Sequence, residues 1–374
     1  MNKIFLLLAG IFFSLQSFAF VPEIKTYTLS DGEEVLGRLC LPENGEFNTL
    51  VFVVHGTGMN TYLNMRSGFN YYDDLAEAFT ERGVAFFSYD RRGVTIDENN
   101  PPFYCAVDSV RYLKYTPLRE AEDIENMITI LRQDNRVKDA KCILYGISEG
   151  TIIGPLVAER KNVDVDALFL HGYANENMYD VIEWQNSGAG VLVKINAVFD
   201  ANHDKVISKE EYESDDQPLA ATYRTTLFAN LPFETVDVNN DGILDVLDIR
   251  QMRAAYTVML IDKITEGDDE WIMKNYFPVT STWYKAHMAL EPNKSRLLRL
   301  NIPIHIFHGA HDANVPVEGV YDIKERFRVA NKENLIVHIF EKHNHDLNYE
   351  VWLAKKKWPE GLLKIFDTAA EMFL

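Results

Sequence analysis

The chain has 374 residues, of which 47% are hydrophobic, and it carries a formal net charge of −19 at pH 7. This length and composition supply enough apolar surface for one large core, or for a core with an inserted subdomain, and they exclude a disordered protein. The acidic balance argues against nucleic acid or an anionic membrane surface as a partner, because such binding needs a basic patch, and it favours divalent cations.

The first 19 residues have the pattern of a secretory signal peptide. Lys3 precedes an apolar run over residues 4–13, and small residues stand at Ser17 and Ala19. This pattern predicts cleavage after Ala19 and a secreted or periplasmic mature protein. The apolar run is too short to span a bilayer comfortably, and no later stretch approaches the length required, so we expect no transmembrane segment in the mature chain. An uncleaved N-terminal anchor is the alternative interpretation of residues 1–19.

After residue 19, short apolar runs alternate with helical patterns. An antiparallel hairpin is expected before residue 48, with its turn at Asp31 and Gly32. Buried parallel strands are predicted at 49–56, 83–90, 141–146, 166–172, 302–309 and 335–342. Apolar residues recur at helical spacing over 72–83 and 118–134. The alternation predicts an α/β fold with a mostly parallel central sheet and helices on both faces.

The first parallel strand ends in the turn VVHGTGMN, residues 53–60. Acyl transfer builds negative charge on an oxygen atom, and fixed backbone N–H donors stabilise that charge. A turn at the carboxyl end of a strand is well placed to supply such a donor. We predict that the amide of Thr57 is one oxyanion donor, with the amide of Gly58 as the alternative.

A serine lies between two glycines directly after the strand at 141–146, in the sequence GISEG. Glycines on both sides let the chain turn sharply from strand to helix and project the hydroxyl, which is the geometry of a nucleophile elbow. Ser-x-Gly turns also occur without catalysis, so Ser148 needs partners elsewhere in the chain. The amide of Glu149 is the predicted second oxyanion donor, and its side chain is expected to be structural, at a helix N-terminus.

Between residues 173 and 296 the strand–helix alternation stops. Over 174–296 the chain has 21 acidic and 11 basic residues. We predict a mainly helical cap at 173–296, inserted into a core that consists of residues 20–172 and 297–374.

Two acidic stretches in this cap, 200–211 and 237–248, have the calcium-loop spacing of an EF-hand and begin 37 residues apart. In such loops, oxygen-bearing side chains occupy positions 1, 3, 5, 9 and 12, and position 7 offers a backbone carbonyl. The predicted calcium ligands are Asp200, Asn202, Asp204, Val206, Glu211, Asp237, Asn239, Asp241, Ile243 and Asp248. Lys205 replaces the glycine that eases the turn, so the second loop is expected to bind calcium more tightly. A chance acidic turn is the alternative for either loop alone.

Two later strand ends supply the groups that a serine nucleophile requires. A serine hydroxyl needs a general base, and the base needs a carboxylate to orient it. Asp312 follows the strand at 302–309, and His345 follows the strand at 335–342. His343 competes with His345 for the role of base, but the sequence NHDL after the last strand favours His345. The order Ser148, Asp312, His345 is the order expected for an elbow of this kind.

These motifs, together with SYDRRGV at 88–94, resemble the α/β-hydrolase family, in particular bacterial serine esterases with a Gly-x-Ser-Glu-Gly elbow. The resemblance covers about residues 24–172 and 297–360. It implies a triad of Ser148, Asp312 and His345, an oxyanion turn at Thr57, and no cofactor for catalysis. The acidic loops resemble an EF-hand pair or dockerin-type loops, at the place where family members commonly insert a cap. That second resemblance implies calcium with a structural role.

Three functions remain open at this point. The first is a secreted serine hydrolase that cleaves small-molecule carboxylic esters, the second is an aminopeptidase-like serine peptidase of the same fold, and the third is a non-catalytic calcium-binding or adhesion module. An intact triad argues against the third. Of the three cysteines, Cys142 is expected in the core, and pairing of Cys40 with Cys105 is left open.

Overall fold

The computed structural model describes residues 20–214, 216–217 and 219–374. The predicted signal peptide, residues 1–19, lies outside the described residues. The chain enters the fold at Phe20 as the first strand of the expected hairpin, and the turn is closed by a hydrogen bond from the Leu29 amide to the Glu33 carbonyl.

The part of the chain up to residue 171 follows the predicted alternation. Helix α3 illustrates the local causes, because Pro117 occupies its first turn and the Thr116 hydroxyl accepts a hydrogen bond from the Arg119 amide. The elements, in chain order, are β1 (Phe20–Thr28), β2 (Glu34–Pro42), β3 (Thr49–Val54), β4 (Met65–Arg66), β5 (Phe69–Asn70), α1 (Tyr71–Thr80), β6 (Ala85–Tyr89), β7 (Val94–Ile96), β8 (Cys105–Val107), α2 (Ser109–Tyr112), α3 (Pro117–Leu131), β9 (Lys141–Ile147), α4 (Gly150–Arg160) and β10 (Ala167–His171).

The segment after β10 is mainly helical, as predicted. Its elements are α5 (Met178–Asn186), α6 (Ala189–Phe199), β11 (Ile207–Ser208), α7 (Lys209–Glu213), α8 (Ala220–Phe228), α9 (Phe233–Val236), β12 (Ile243–Leu244), α10 (Val246–Glu266), α11 (Asp269–Asn275), α12 (Ser281–Met288) and α13 (Asn293–Leu297). Part of this segment has a small apolar core of its own, in which Phe199, Tyr212 and Phe233 pack around the strand pair β11–β12.

The chain then returns to the sheet. The remaining elements are β13 (Ile304–Gly309), α14 (Glu318–Val329), β14 (Leu335–Phe340), α15 (Tyr349–Lys355) and α16 (Glu360–Glu371). Within the described residues, the central sheet has eight strands in the order β1-β2-β6-β3-β9-β10-β13-β14. Strand β2 pairs antiparallel with both neighbours, and every pairing from β6 to β14 is parallel.

Helices cover both faces of this sheet. Side chains alternate along a strand, so Phe52 and Val54 of β3 pack on one face while Val51 and Val53 pack on the other. Helices α3, α4 and α14 bury apolar residues on the first face, and α1 and α16 bury theirs on the second. The carboxyl ends of β3, β9, β10 and β13 are neighbours at one edge, which is where the sequence analysis places its candidate residues.

All three cysteines are buried and free, so Cys40 and Cys105 do not pair. Cys142 lies in β9 within the core, as expected. Across residues 20–214, 216–217 and 219–374, no helix combines the length and the apolar character needed to cross a membrane.

Candidate active site

Ser148 stands in a tight turn between β9 and α4. Its φ is +54°, a left-handed conformation that is uncommon for a residue other than glycine and that occurs often at functional sites. A Cβ atom at Gly146 would lie 2.3 Å from the carbonyl oxygen of Gly150, and one at Gly150 would lie 2.2 Å from the carbonyl oxygen of Val54. Both positions therefore exclude any side chain, and the turn that projects Ser148 depends on both glycines.

His345 and Asp312 are brought together from two neighbouring strand ends. Nδ1 of His345 lies 2.7 Å from Oδ2 of Asp312. The other carboxylate oxygen of Asp312, Oδ1, accepts hydrogen bonds from the backbone amides of Asn314 and Val315, with N–O distances of 2.8 and 2.9 Å. An ionised carboxylate only accepts hydrogen bonds, so Nδ1 of His345 carries a proton and Nε2 is left to act as the base.

The charges of this pair stabilise each other. Burial alone would raise the pKa of the Asp312 carboxyl, but the nearby His345 lowers it to about 2. Burial alone would lower the pKa of His345, but the charge and the hydrogen bond of Asp312 raise it to about 9. Asp312 is therefore ionised at neutral pH, and His345 becomes a free base as the pH rises through about 9.

Ser148 and His345 line one cavity of about 810 Å³. The Ser148 amide donates to the carbonyl oxygen of His171 at 2.8 Å, which ties the elbow to the end of β10. Gly172, the next residue, leaves room for the base, because a Cβ atom there would lie 2.6 Å from Cε1 of His345. The structure thus places Ser148 and His345 in one cavity at the carboxyl edge of the sheet, and buried Asp312 is hydrogen-bonded to the ring of His345.

The neighbouring histidines have other partners. Nε2 of His343 accepts a hydrogen bond from the Gly361 amide at 3.4 Å, and the ring packs against Phe340. His171 holds the carbonyl oxygen of His345 through Nε2 at 3.0 Å. His308, which the sequence analysis did not single out, is fully buried with Nε2 3.5 Å from Oδ2 of Asp312. Burial lowers the pKa of His308, and its position at the end of β13, four residues before Asp312, was the available signal.

The predicted oxyanion turn lies directly beside the elbow. A Cβ atom at Gly56 would be 3.5 Å from Cβ of Ser148. Thr57 and Glu149 both line the cavity, and within the described residues neither amide donates a hydrogen bond to a protein acceptor. Gly58 has a φ of +103°, so this turn also relies on a residue without a side chain. The two proposed amides are free to bind an oxygen atom in the cavity.

The Glu149 side chain differs from the expectation of a simple helix N-terminus. It makes no capping hydrogen bond to α4. The carboxylate is instead fully buried beneath α12 of the helical segment. No local sequence pattern predicts this contact, because α12 lies more than a hundred residues further along the chain.

The walls of the cavity differ in character. Helix α5 contributes Met178, Val181 and Ile182, and α12 contributes Trp283 and Tyr284. The residues outside the helical segment that also line the cavity include polar and aromatic ones, namely Asn64, Arg66, Phe69, Tyr71, Tyr72, Asp346 and Tyr349. A substrate at Ser148 would therefore meet a mostly apolar surface from the helical segment, in which Gln185 is a polar exception.

The two acidic loops, 200–211 and 237–248, have matching backbone geometry. The Asp200 carboxylate accepts hydrogen bonds from the amides of Asp204 and Lys205. The Asp237 carboxylate accepts hydrogen bonds from the amides of the equivalent residues 241 and 242. Residues 207 and 208 of the first loop pair with residues 244 and 243 of the second, as β11 and β12. Lys205 and Gly242 occupy the same left-handed position, with φ of +74° and +87°.

The last residue of each loop also has the same partners. The Glu211 carboxylate accepts hydrogen bonds from the amides of residues 201, 202 and 208. The Asp248 carboxylate accepts hydrogen bonds from the amides of residues 238, 239 and 245. The shorter Asp248 thus reaches the same three positions as Glu211. In the described part of the chain, no three acidic, histidine or cysteine side chains converge closely enough to hold a metal by themselves. The ten predicted ligand residues nevertheless offer only oxygen donors, which suits calcium.

The chain was compared with known protein families, curated proteins and solved structures, and only the solved structures show a likeness. No protein-family model matches the chain, and no curated protein matches it. An acylaminoacyl peptidase in complex with Z-Gly-Gly-Phe-chloromethyl ketone aligns with a TM-score of 0.50 and 16% identity, over 95% of this chain and 41% of that chain. An esterase from Pyrococcus furiosus aligns with a TM-score of 0.48 and 13% identity, over 93% and 90% of the two chains. An esterase from Exiguobacterium antarcticum gives 0.46 and 15%, over 93% and 99%.

At these identities the likeness concerns the fold alone. Together with the strand order and directions described above, it confirms the predicted α/β-hydrolase fold.

Proposed function

We propose that this protein is a serine hydrolase that cleaves carboxylic esters through an acyl-enzyme on Ser148. The observation that carries the proposal is the shared cavity of Ser148 and His345, with the second ring nitrogen of His345 bonded to buried Asp312. Nε2 of His345 takes the proton of the Ser148 hydroxyl as the oxygen atom attacks the ester carbonyl carbon. The amides of Thr57 and Glu149 stabilise the oxyanion.

The protonated His345 then gives its proton to the departing alcohol, and the acyl group remains on Ser148. A water molecule, activated by the same histidine, attacks the acyl-enzyme and releases the carboxylic acid. Asp312 stays ionised throughout, because the pKa of its carboxyl is held at about 2. It orients the ring and stabilises the imidazolium.

The cavity favours a neutral, apolar acyl group over a substrate with a free amino terminus. An aminopeptidase-like enzyme needs a pair of carboxylates that are both free to bind a substrate ammonium group. The acidic residues that line the described cavity are Glu149, whose carboxylate is buried and already hydrogen-bonded, and Asp346. The apolar wall from α5 and α12 suits an acyl chain or an aromatic group instead. Aminoacyl substrates are therefore expected to be poor.

Hydrolysis of p-nitrophenyl esters by wild type and by Ser148→Ala tests the proposal. Ser67 lines the same cavity, so Ser67→Ala is a matched control. We expect Ser148→Ala to lose activity by about 10⁴-fold or more, while Ser67→Ala stays near wild type. Aminoacyl p-nitroanilides in the same assay should be cleaved far more slowly than esters. A wild-type protein with no activity on either panel would favour the non-catalytic calcium-binding or adhesion module instead.

We further propose that the loops 200–211 and 237–248 form an EF-hand-like or dockerin-like pair that binds calcium with a structural role in the cap, residues 173–296. The support is the matching hydrogen-bond pattern of the two loops, their pairing through β11 and β12, and their all-oxygen donor set. Calcium would neutralise carboxylates that otherwise repel one another. A ligand that binds only the folded form stabilises it by about 2.7 kcal/mol at a hundred times its Kd.

Calorimetric titration with calcium is the test of this second proposal. Asp237→Ala should abolish the tighter binding event and Asp200→Ala the weaker one. Asp262 is an exposed acid on α10 outside both loops, so Asp262→Ala should bind like wild type. An absence of calcium-dependent heat, with a melting curve unchanged by chelator, would leave the loops as acidic turns.

The remaining proposals concern processing and domain limits. We propose that residues 1–19 are removed on export, leaving Phe20 as the new N-terminus, and that residues 20–172 and 297–374 form the hydrolase core. N-terminal sequencing of the exported protein tests the first proposal. Limited proteolysis with mass spectrometry tests the second, since cleavage is expected inside the cap before the core.

A further inference from the structure

A buried ionic cluster lies behind the proposed oxyanion donors. The Glu149 carboxylate accepts hydrogen bonds from the Tyr115 hydroxyl, from Nε1 of Trp283 at 2.9 Å and from Nε2 of His287 at 2.7 Å. Burial alone would raise the pKa of the Glu149 carboxyl, but the His287 hydrogen bond and the charge of Arg91 lower it. An ionised carboxylate therefore joins the residue after Ser148 to helix α12.

Arg91 connects this cluster to the other oxyanion donor. Its fully buried guanidinium binds Glu120, with Nε 3.0 Å from Oε2, and Nη2 lies 3.8 Å from the Glu149 carboxylate. Nη1 donates to the carbonyl oxygens of Gly56 and Gly58. The side-chain amide of Asn60 donates to the same two oxygens, at 2.9 and 3.1 Å. One arginine thus holds the oxyanion turn from behind and faces the Glu149 carboxylate.

The direction of these hydrogen bonds fixes the direction of the Thr57 amide. In a trans peptide, the carbonyl oxygen and the amide hydrogen point to opposite sides. The carbonyl of Gly56 and the amide of Thr57 belong to one peptide unit. Because Arg91 and Asn60 hold that carbonyl, the Thr57 N–H is directed away from both side chains, and Thr57 lines the cavity together with Ser148.

Resting on the proposed function, we propose that Arg91 and Glu149 are positioning residues for the oxyanion donors, and that Trp283 and His287 of α12 complete the arrangement. The helical segment then serves turnover as well as substrate binding, because α12 holds the residue that supplies one donor. Oxyanion donors act mainly in the transition state, so their displacement lowers kcat and leaves KM nearly unchanged.

The variants are chosen to disturb the cluster while keeping its packing. Arg91→Lys keeps the charge but loses the planar fork that reaches two carbonyl oxygens. Trp283→Phe removes the N–H donor to Glu149 and keeps an aromatic ring. Arg92→Lys is the matched control for the first, since Arg92 is equally buried and pairs with Asp123 and Asp31. Trp271→Phe in α11 is the control for the second.

The measurements are kcat and KM on one p-nitrophenyl ester, and inhibition by a boronic acid, a tetrahedral analogue, and by the matching product acid. We expect Arg91→Lys to lower kcat by about 10–100-fold and Trp283→Phe by about 3–10-fold, with KM within about threefold of wild type. Boronate affinity should fall by the same factors while product affinity is unchanged. Both controls should stay near wild type.

Two results would overturn the inference alone. The first is that Arg91→Lys and Trp283→Phe lower kcat no more than their control variants do. The other is a lower melting temperature with an unchanged ratio of boronate to product affinity, which would make the cluster merely structural. If Arg91→Lys does not fold, Trp283→Phe decides alone. A wild-type protein without esterase activity would overturn the proposed function and this inference with it.

Discussion

Replacement of Asp312 by asparagine tests the pairing at the centre of the site. The ordinary pKa of histidine is about 6.5, and Asp312 helps to raise that of His345 to about 9. That rise corresponds to about 3 kcal/mol in favour of the charged ring. Asparagine has the same shape but no charge, so the pKa of His345 should fall below 6.5, the direction in which burial moves it.

Two consequences follow for activity. His345 must be neutral to act as a base, so wild-type kcat/KM should rise with pH through about 9. In Asp312→Asn this rise should move to below pH 6.5, because the variant ring loses its proton more readily. The plateau should fall by about 10⁴-fold, since asparagine no longer stabilises the imidazolium or fixes the tautomer.

Stability provides an independent check with a definite sign. The folded pKa of His345 lies above its unfolded value and that of Asp312 lies below its own, so the pair contributes its full stability between about pH 4 and 6.5. It loses that stability as the pH rises through about 9 or falls towards about 2. The destabilisation in Asp312→Asn should therefore be largest near pH 6, up to about 3 kcal/mol, and smaller above pH 9. Urea unfolding at both pH values measures this difference.

Asp346→Asn is the control for both readouts. Asp346 is adjacent to His345 and also raises its pKa, but it is more exposed and makes no hydrogen bond to the ring. Its replacement should move the pH profile far less. An Asp312→Asn variant that keeps the wild-type pH profile, or most of the wild-type activity, would refute the pairing as the basis of catalysis.

Three further predictions concern the base, the elbow and the loops. His345→Ala should lower kcat/KM by at least about 10²–10⁴-fold and His343→Ala far less; equal losses would count against His345 as the base. Gly150→Ala places a Cβ atom 2.2 Å from the Val54 carbonyl oxygen, so it should lower the free energy of unfolding in urea by at least about 1–3 kcal/mol. In the control Gly154→Ala the nearest atom lies 3.8 Å from the new Cβ atom, so this variant should be as stable as wild type or more stable. Lys205→Gly should relieve the strain of a φ of +74° and stabilise the cap by about 0.5–1 kcal/mol, and Gly242→Lys should destabilise it. The melting temperatures of the two variants in the presence of calcium test this prediction, and equal melting temperatures would contradict the strain argument.

The sequence was most informative where function depends on the ends of strands. Ser148, Asp312 and His345 each follow an apolar run, and parallel strands carry their carboxyl ends to one edge. The strand at 141–146 was predicted to within one residue of β9, because its apolar run is bounded by a turn. The mostly parallel sheet and the covering of both its faces followed from the same alternation of strands and helices, whereas the strand order became known only from the structure.

The sequence was least informative about contacts between distant segments. The side chain of Glu149 meets Trp283 and His287, which are 134 and 138 residues away, and nothing local distinguishes such a glutamate from one that favours a helix N-terminus. The same holds for Arg91 of the SYDRRGV motif, because its hydrogen bonds to the carbonyl oxygens of Gly56 and Gly58 depend on tertiary packing. The contacts of Glu149 join the core to the predicted cap, whereas those of Arg91 lie within the core.

The most direct test of the central claim is identification of the residue that an active-site probe modifies. The mature protein is treated with a fluorophosphonate, digested and analysed by peptide mass spectrometry, with Ser148→Ala in parallel. We expect one phosphonylated residue, Ser148, in the wild-type protein and no modification in the variant. Labelling that persists in Ser148→Ala, or a wild-type protein modified at Ser67 instead, would contradict the assignment of Ser148 as the nucleophile.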